Sequence, residues 1–139
     1  MVNKVFYFDT SIWLDFIENR NEPNIPKSNW AKELVDKIID NEDFIVFSDM
    51  NMIELRGAGY SEFEIEAILV NTKIKTIMVE SSERQIRVSK DLAHKRNIPK
   101  GDALHSLIAR DNRAILVTLD HDFQKLLDII RPFRTNELI

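Results

Sequence analysis

Short apolar runs alternate with segments of helical periodicity along almost the whole chain, and this alternation limits the folds open to it. Strands separated by helices predict an α/β fold with three α/β/α layers and a short, mainly parallel sheet. The run 114–119 (AILVTL) has no polar face and is expected to be the central strand. No repeat, low-complexity stretch or linker divides the sequence, which predicts a single domain over residues 1–139. The expected strands are 4–8, 43–47, 74–79, 114–119 and a last one near Phe133.

Capping residues mark several helix starts. Ser61 and Ser82 are followed three residues later by Glu64 and Gln85, which is the capping-box pattern that precedes a helix. Ser28 is expected to cap another helix in the same way. The expected helices are 10–18, 28–40, 48–57, 61–70, 82–96, 102–111 and a short one from 122 to 129.

Composition excludes several classes of protein. The chain has 139 residues, of which 44% are hydrophobic and 30% charged, as in globular proteins rather than disordered or membrane proteins. The absence of cysteine excludes disulfides, zinc–thiolate centres and thiol catalysis. No phosphate-binding glycine motif is present. Since neither a bilayer-spanning run nor a secretion leader is recognisable, we expect a cytoplasmic protein that does not bind membranes.

The net charge of −4 is unevenly distributed along the chain. Residues 1–66 carry 14 acidic and 6 basic side chains, whereas residues 67–139 carry 9 acidic and 13 basic ones, so that the two parts have charges of −8 and +4. Although the chain is acidic overall, its basic second half is compatible with nucleic-acid binding.

Acidic residues follow two of the predicted strands directly. Asp9 ends the first (KVFYFD), Asp120 ends the fourth (ILVTLDHD), and Asp102 begins the helix that leads into the fourth. Each of these three could act only as a helix cap or dipole partner. Glu54 differs, because it lies near the carboxyl end of its helix, where the dipole disfavours negative charge. Sites in parallel sheets form beyond the carboxyl ends of the strands, so we expect these acids to converge there.

Convergence of four or five carboxylates would need compensation. Two like charges about 4 Å apart repel by roughly 4 kcal/mol at an effective dielectric constant near 20. We therefore expect mutual repulsion to raise the pKa values of these carboxyl groups, or a divalent cation to neutralise them. Oxygen ligands without cysteine favour Mg²⁺ or Mn²⁺ over zinc. Such metals activate water and stabilise charge on phosphoryl groups, which is the chemistry of magnesium-dependent nucleases.

Four short motifs occur in the order and spacing of a known family. They are FDTSIWLD from Phe8, NMIELRG around Glu54, PKGDALHSLIA around Asp102, and ILVTLDHDF through Asp120. Together they resemble the PIN-domain ribonucleases, and most closely the toxins of VapBC toxin–antitoxin pairs, over nearly the whole chain. The resemblance implies a metal-dependent endoribonuclease that leaves a 5′-phosphate, with RNA as substrate, an antitoxin as partner and a homodimer as the assembly.

The resemblance also implies roles for individual residues. Asp9, Asp102 and Asp120 would bind the principal ion, Mg²⁺ or Mn²⁺, and Glu54 would orient the attacking water or bind a second ion. His105 lies one turn after Asp102 but has no role in the resemblance, and it is expected to be a packed or solvated helix residue. The candidate catalytic and metal-binding residues are Asp9, Glu54, Asp102, Asp120 and Asp122, supported by Thr10 and Thr118.

Basic residues on the helix 82–96 form a candidate RNA-binding face. Arg84, Arg87 and Lys90 share one side of this helix, at 100° of rotation per residue. Lys100, just before the third acidic motif, is the stronger candidate, because a substrate at the metal must pass it.

The helix 10–18 is more apolar than a single buried face requires. Trp13, Phe16 and Ile17 are among its apolar residues. Most of this surface is expected to be core, and the surplus fits a homodimer or an antitoxin interface.

Other interpretations remain open at this point. ILVTLDHDF also resembles the first motif of haloacid-dehalogenase-like phosphatases, but only 17 residues follow Asp122, too few for the later motifs of such enzymes. A receiver-like phosphoacceptor would need a lysine after its last core strand, where this chain has Arg134. A PIN-type RNA-processing nuclease without an antitoxin, or a PIN fold that binds RNA or a partner without cutting, would carry the same motifs.

Overall fold

The first strand of the chain forms the middle of the sheet. The computed structural model describes residues 3–139, and within them five parallel strands lie in the order β3-β2-β1-β4-β5, with helices on both faces. This confirms the expected three-layer α/β arrangement. The strands are β1 (Val5–Phe8), β2 (Phe44–Ser48), β3 (Lys75–Val79), β4 (Ile115–Val117) and β5 (Pro132–Phe133). The helices are α1 (Thr10–Glu18), α2 (Lys27–Asp40), α3 (Asp49–Gly57), α4 (Glu62–Asn71), α5 (Glu83–Arg96) and α6 (Lys100–Asp111), with 3-10 helices at His121–Leu126 and Thr135–Glu137.

Strand pairing brings all the carboxyl ends to one edge of the sheet. Strand β1 pairs with β2 on one side and with β4 on the other, so that Phe6 lies opposite both Ile45 and Ile115. Strand β4 is an inner strand, as its lack of a polar face predicts, but β1 takes the middle position. Because every pairing is parallel, loops that follow β1 and β4 are neighbours at the same edge.

Side chains of β1 alternate between the two layers of core. Phe6 and Phe8 face the layer formed by α1 and α2, whereas Tyr7 faces α6. Trp13 of α1 packs in the first layer, with its ring centroid 5.3 Å from that of Phe8 and 5.5 Å from that of Phe47. Since Trp13 is fully buried, it belongs to the core and is not part of a surplus apolar surface.

Two of the three predicted helix caps form. Ser61 and Ser82 each make the complete capping box with the residue three positions later. Ser28 does not cap a helix, because α2 begins one residue earlier, directly after Pro26. The side-chain oxygen of Asn21, in the preceding loop, accepts from the backbone N–H of Ser28 at 3.0 Å and takes over that task.

The last expected helix is shorter and tighter than its sequence pattern predicts. It is a 3-10 helix over His121–Leu126 rather than a helix over 122–129. Asp120 caps it by accepting from the backbone N–H of Asp122 at 2.9 Å. None of the helices within residues 3–139 is long and apolar enough to cross a membrane.

Candidate active site

Two acidic residues lie at the carboxyl edge of the sheet, after neighbouring strands. Asp9 directly follows β1, and its backbone N–H donates to the carbonyl oxygen of Val117, the last residue of β4, at 3.1 Å. Asp120 follows three residues after Val117. The parallel pairing of β1 with β4 therefore brings together two acidic positions from opposite ends of the sequence.

Thr118 connects these two acidic residues. Its hydroxyl donates to Oδ2 of Asp9 and accepts from the backbone N–H of Asp120 at 3.0 Å. The other oxygen of Asp9 accepts from the backbone N–H of Ile12 at 3.1 Å, so Asp9 also caps α1. Burial raises the pKa of Asp9, although the hydrogen bond from Thr118 opposes this shift.

Three carboxylates form a compact cluster beside Asp9. Asp102, Asp120 and Asp122 each contribute one oxygen, and these oxygens lie within 4.8 Å of one another. Asp102 comes from the first turn of α6, whereas the other two flank the start of the 3-10 helix after β4. Residues from two separate elements thus bring negative charges into one small volume.

Asp102 is the least compensated member of this cluster. Its Oδ2 atom is buried and accepts no hydrogen bond from residues 3–139. Burial, and after it the negative charges of Asp120 and Asp9, together raise the pKa of Asp102 to about 7. A buried carboxylate oxygen without a donor is costly, because burial removes its water and nothing replaces it.

A divalent cation fits this arrangement. It would bind the unsatisfied oxygen of Asp102 and neutralise the repulsion among three carboxylates at once. The donor set consists of oxygen atoms, which suits Mg²⁺ or Mn²⁺ better than a softer metal. The chemistry of these residues therefore agrees with the metal that the sequence predicts.

Glu54 lies against the start of α6, at Gly101, and its carboxylate is held by other residues of the protein. Its Oε1 atom accepts from the hydroxyl of Thr10 at 2.7 Å and from Nε2 of His105 at 2.5 Å. Thr10 is fixed in turn, because its hydroxyl oxygen accepts from the side-chain amide of Asn51 at 3.1 Å. Glu54 therefore differs from Asp102 in having partners for its charge.

These hydrogen bonds reverse the pKa shift that the sequence predicts for Glu54. Burial alone would raise the pKa of Glu54, but the hydrogen bonds and charge of His105, with the hydroxyl of Thr10, lower it below its ordinary value. The expectation of an upward shift for every carboxyl group is therefore wrong for Glu54. For Asp9 and Asp102 the pKa shift is upward; burial is the largest cause in both, and repulsion by neighbouring carboxylates is second for Asp102 and a minor contribution for Asp9.

His105 is a site residue that the sequence analysis missed. It is only 2% exposed and joins Glu54 to the core of the protein. The hydroxyl of Tyr7 is 2.5 Å from its Nδ1 atom, and the same hydroxyl is 2.7 Å from that of Ser48. An ionised carboxylate only accepts hydrogen bonds, so Nε2 of His105 carries the proton in its bond to Glu54. Its position three residues after Asp102, on the same helical face, is the signal that could have revealed it.

Gly101 allows Glu54 to approach helix α6. A Cβ atom at this position would lie 3.2 Å from Oε2 of Glu54 and 3.3 Å from the terminal methyl group of Met50. Both contacts are shorter than ordinary van der Waals distances between such atoms. Glycine at 101 and histidine at 105 thus provide space for one carboxylate oxygen and a donor for the other.

The predicted basic face lies apart from the carboxylates. Arg84 lines a groove with Arg110 and Asp111, at the carboxyl end of α6. Asp102 is nine residues before Asp111 on this helix, which separates them by roughly 13 Å along the axis. Lys100 is exposed at the first position of α6, close to Asp102 in sequence. Arg87 and Lys90 line a shallower depression on α5, and their contact with RNA stays a prediction.

Sheet order and site together define a parallel α/β domain with a carboxylate centre at its carboxyl edge. The PIN domain family model matches residues 6–127, and the chain belongs to this family. This membership confirms the resemblance seen in the motifs, and it rules out the interpretations of the chain as a phosphatase or a receiver-like domain.

Solved structures share the fold at low sequence identity. One is a chain of VapBC2 from Rickettsia felis, bound to a DNA fragment from its promoter. It is 15% identical, with a TM-score of 0.62, and the match covers 94% of this chain and 98% of that one. Another belongs to FitAcB from Neisseria gonorrhoeae, 15% identical with a TM-score of 0.56, covering 96% and 99% of the two chains. No curated protein sequence matches the chain.

Replacing Thr10 with valine should raise the pKa of Glu54 and destabilise the protein at neutral pH. The lost hydrogen bond to a partly exposed carboxylate is worth about 1 to 2 kcal/mol. Because the folded pKa of Glu54 is lowered, its stabilising effect is complete above the ordinary value of 4.5 and disappears as the pH falls through the folded pKa. In urea denaturation, the free energy of unfolding of Thr10→Val should therefore be lower than that of wild type at pH 7, and the difference should be much smaller in acid.

The matched control is Thr10→Ser, which keeps the hydroxyl group and should keep the stability at pH 7. A Thr10→Val protein whose stability deficit is as large in acid as at neutral pH would show that the hydroxyl acts through packing or through its hydrogen bond from Asn51, and not through the charge of Glu54.

Proposed function

We propose that this protein is a divalent-metal-dependent endoribonuclease that uses Mg²⁺ or Mn²⁺. The observation that carries the proposal is the cluster of Asp102, Asp120 and Asp122, in which a buried oxygen of Asp102 has no donor among residues 3–139. Membership of the PIN domain family supports the proposal, because PIN domains are generally nucleases.

Four aspartates are the candidate metal ligands. Asp102, Asp120 and Asp122 would hold the ion directly, and Asp9 adjoins them through Thr118. When bound, a divalent ion supplies positive charge against the phosphodiester and its leaving oxygen, and makes water more acidic. Thr118 acts as a support, since its hydroxyl binds Asp9 while it fixes the backbone of Asp120.

Glu54 is the candidate residue for positioning the attacking water. Its Oε1 atom is held by Thr10 and His105, which leaves Oε2, the oxygen that faces Gly101, to accept a hydrogen bond from water. The lowered pKa keeps this carboxylate ionised at neutral pH. In the reaction, the water oxygen bonds to phosphorus, the bond from phosphorus to the 3′ oxygen breaks, and the water proton passes through Oε2 towards that leaving oxygen. The products are a 5′-phosphate and a 3′-hydroxyl.

Lys100 is the candidate contact to the substrate phosphate at this site. It is exposed at the start of α6, two residues before Asp102. Its charge would stabilise the reacting phosphate rather than the ion.

We further propose that the enzyme is a cytoplasmic toxin restrained by an antitoxin, and that it forms a homodimer. Two observations support the toxin role: the motifs resemble VapBC toxins, and the fold is that of chains from VapBC2 and FitAcB. Induced expression in bacteria should arrest growth, whereas expression of Asp102→Asn should not. Growth arrest by both proteins would contradict a role that depends on cleavage.

Substitution of Asp102 by asparagine should separate catalysis from folding. The change removes one negative charge from a repulsive cluster, so the metal-free protein should be as stable as wild type or slightly more stable. RNA cleavage with Mg²⁺ should fall to background. Wild type should gain about 2.7 kcal/mol of stability at a Mn²⁺ concentration of 100 times Kd, and this gain should disappear in the variant.

The control for this experiment is Asp36→Asn, the same chemical change at an exposed position of α2. It should leave cleavage and Mn²⁺ stabilisation at their wild-type values. If Asp102→Asn failed to fold while Asp36→Asn folded normally, Asp102 would be a structural helix residue and the proposed site would be wrong.

A methyl group at position 101 should lower kcat without weakening metal binding. Gly101→Ala places a Cβ atom 3.2 Å from Oε2 of Glu54, and the carboxylate must move by a fraction of an ångström. A displacement of about 1 Å can cost 100-fold in rate, so we expect kcat to fall roughly tenfold. Alanine favours a helix over glycine by about 1 kcal/mol, which protects the fold. Cleavage kinetics and Mn²⁺ thermal shifts provide the two measurements.

Gly57→Ala is the matched control, because a Cβ atom at this other helical glycine meets nothing within 4 Å in the part of the chain that the structure describes. It should retain wild-type kcat. Wild-type kcat in Gly101→Ala would show that the position of Glu54 does not limit the reaction.

A further inference from the structure

A groove leads away from the carboxylate cluster, between the 3-10 helix His121–Leu126 and strand β5. Its first part, of about 200 Å³, begins at Thr118 and Asp120 and passes Phe133 and Arg134. A second and wider part, of about 460 Å³, continues past Leu127 and Arg131. The two parts form one continuous path, because they share three lining residues: Gln124, Pro132 and Glu137.

Two arginines lie along this groove. Arg131 precedes β5 and Arg134 follows it, so at most about 11 Å of extended chain separates them. Neither guanidinium pairs with a carboxylate within residues 3–139. By contrast, Arg96 nearby is bound to Asp128 and cannot serve a ligand in the same way. The groove therefore offers two cationic groups to an anionic ligand.

Each part of the groove also has an apolar side chain in its wall, Phe133 in the first part and Leu127 in the second. The guanidinium carbon of Arg131 is 5.0 Å from the centroid of the Phe133 ring, and Leu127 is 52% exposed on the groove wall. Such a combination of cations and an aromatic ring is what proteins use to bind single-stranded nucleic acid, with cations on phosphates and rings against bases.

Beyond Asp120, which belongs to the carboxylate cluster, one further negative charge lines the groove. Glu137 lines both parts of the groove, and its carboxylate accepts from the backbone N–H of Arg134 at 2.8 Å. With two arginines against one glutamate, the groove beyond the carboxylate cluster remains positive. Glu137 also allows a test of the ligand's charge, because removing this negative charge should strengthen the binding of an anionic ligand.

We propose that this groove binds the single-stranded RNA that flanks the scissile phosphate, with Arg131 and Arg134 on its phosphates and Phe133 and Leu127 against a base. The inference rests on the proposed ribonuclease function. An RNA whose phosphate lies at the carboxylate cluster must continue along a surface that begins there, and this groove begins at Asp120. Arg84 of the predicted basic face, in contrast, lines a groove at the other end of α6.

The double variant Arg131→Gln/Arg134→Gln should bind RNA more weakly and with less salt dependence. Each lost phosphate contact lowers the slope of log K against log salt by about 0.7 for a single strand, which corresponds to roughly 25-fold weaker binding at about 0.1 M salt for two contacts. The probe is a short fluorescein-labelled RNA of mixed sequence, whose anisotropy is measured in the Asp102→Asn background so that it is not cut. The matched control, Arg56→Gln/Arg113→Gln, removes two exposed arginines that line neither part of the groove, and should bind as the background protein does.

Glu137→Gln should have the opposite effect. Glutamine keeps an oxygen that can accept from the backbone of Arg134 but removes the negative charge, so RNA should bind more tightly. Unchanged or weaker binding by Glu137→Gln would overturn the proposal. So would wild-type affinity in Arg131→Gln/Arg134→Gln, which is also the result expected if the groove holds a partner protein instead of RNA.

Cleavage by the otherwise native enzyme separates this inference from the proposed function. Arg131→Gln/Arg134→Gln should raise KM and leave kcat nearly unchanged, because neither side chain touches the reacting phosphate. If the wild-type enzyme is active and the double variant has the same KM, the proposed role of the groove in RNA binding is wrong, while the proposed ribonuclease function stands. A wild-type protein that cuts no RNA, yet binds it through these arginines, would instead overturn the proposed ribonuclease activity.

Discussion

Negative charge gathered at the carboxyl edge of a parallel sheet is the constraint on which the rest of the site depends. Asp9 follows the middle strand and Asp120 follows its neighbour, so the sheet order itself forces the two together. Burial, and after it the charges of Asp120 and Asp9, raise the pKa of Asp102 to about 7, so part of this shift comes from the proximity of the acidic residues. A chain that keeps such an arrangement needs something to offset it, and the residues around the cleft provide two different solutions.

One solution uses donors from the protein, and the other leaves an oxygen open. Glu54 receives hydrogen bonds from Thr10 and His105, and its charge is stable without further help. Asp102 receives none at Oδ2 from residues 3–139, which leaves this oxygen open to an external cation. The carboxylate on α3 and the carboxylate on α6 are therefore suited to different roles. The division arises from α6, which supplies the open carboxylate, the space at Gly101 and the donor at His105.

Local sequence patterns were sufficient to predict the acidic residues at the strand ends and the helix caps, because both depend on residues close together in the chain. The acids after β1 and β4 and the capping boxes at Ser61 and Ser82 follow from strand ends and from three-residue spacings. The roles of His105 and the lowered pKa of Glu54 depend on contacts between residues far apart, such as the 98 positions between Tyr7 and His105. No periodicity encodes such a contact. The sequence does not indicate the groove with Arg131 and Arg134 for a related reason: the groove forms only where the 3-10 helix His121–Leu126 and strand β5 lie side by side.

The bond between Thr118 and Asp9 has a consequence for the order in which the molecule can be made. Its partners are 109 residues apart, and the middle strand of the sheet is the first to leave the ribosome. At about 5–20 residues per second, synthesis of the intervening chain takes on the order of ten seconds. During that interval Asp9 is present but has neither β4 nor the cluster beside it. The cleft therefore assembles only after β4 and the 3-10 helix that follows it have been synthesised.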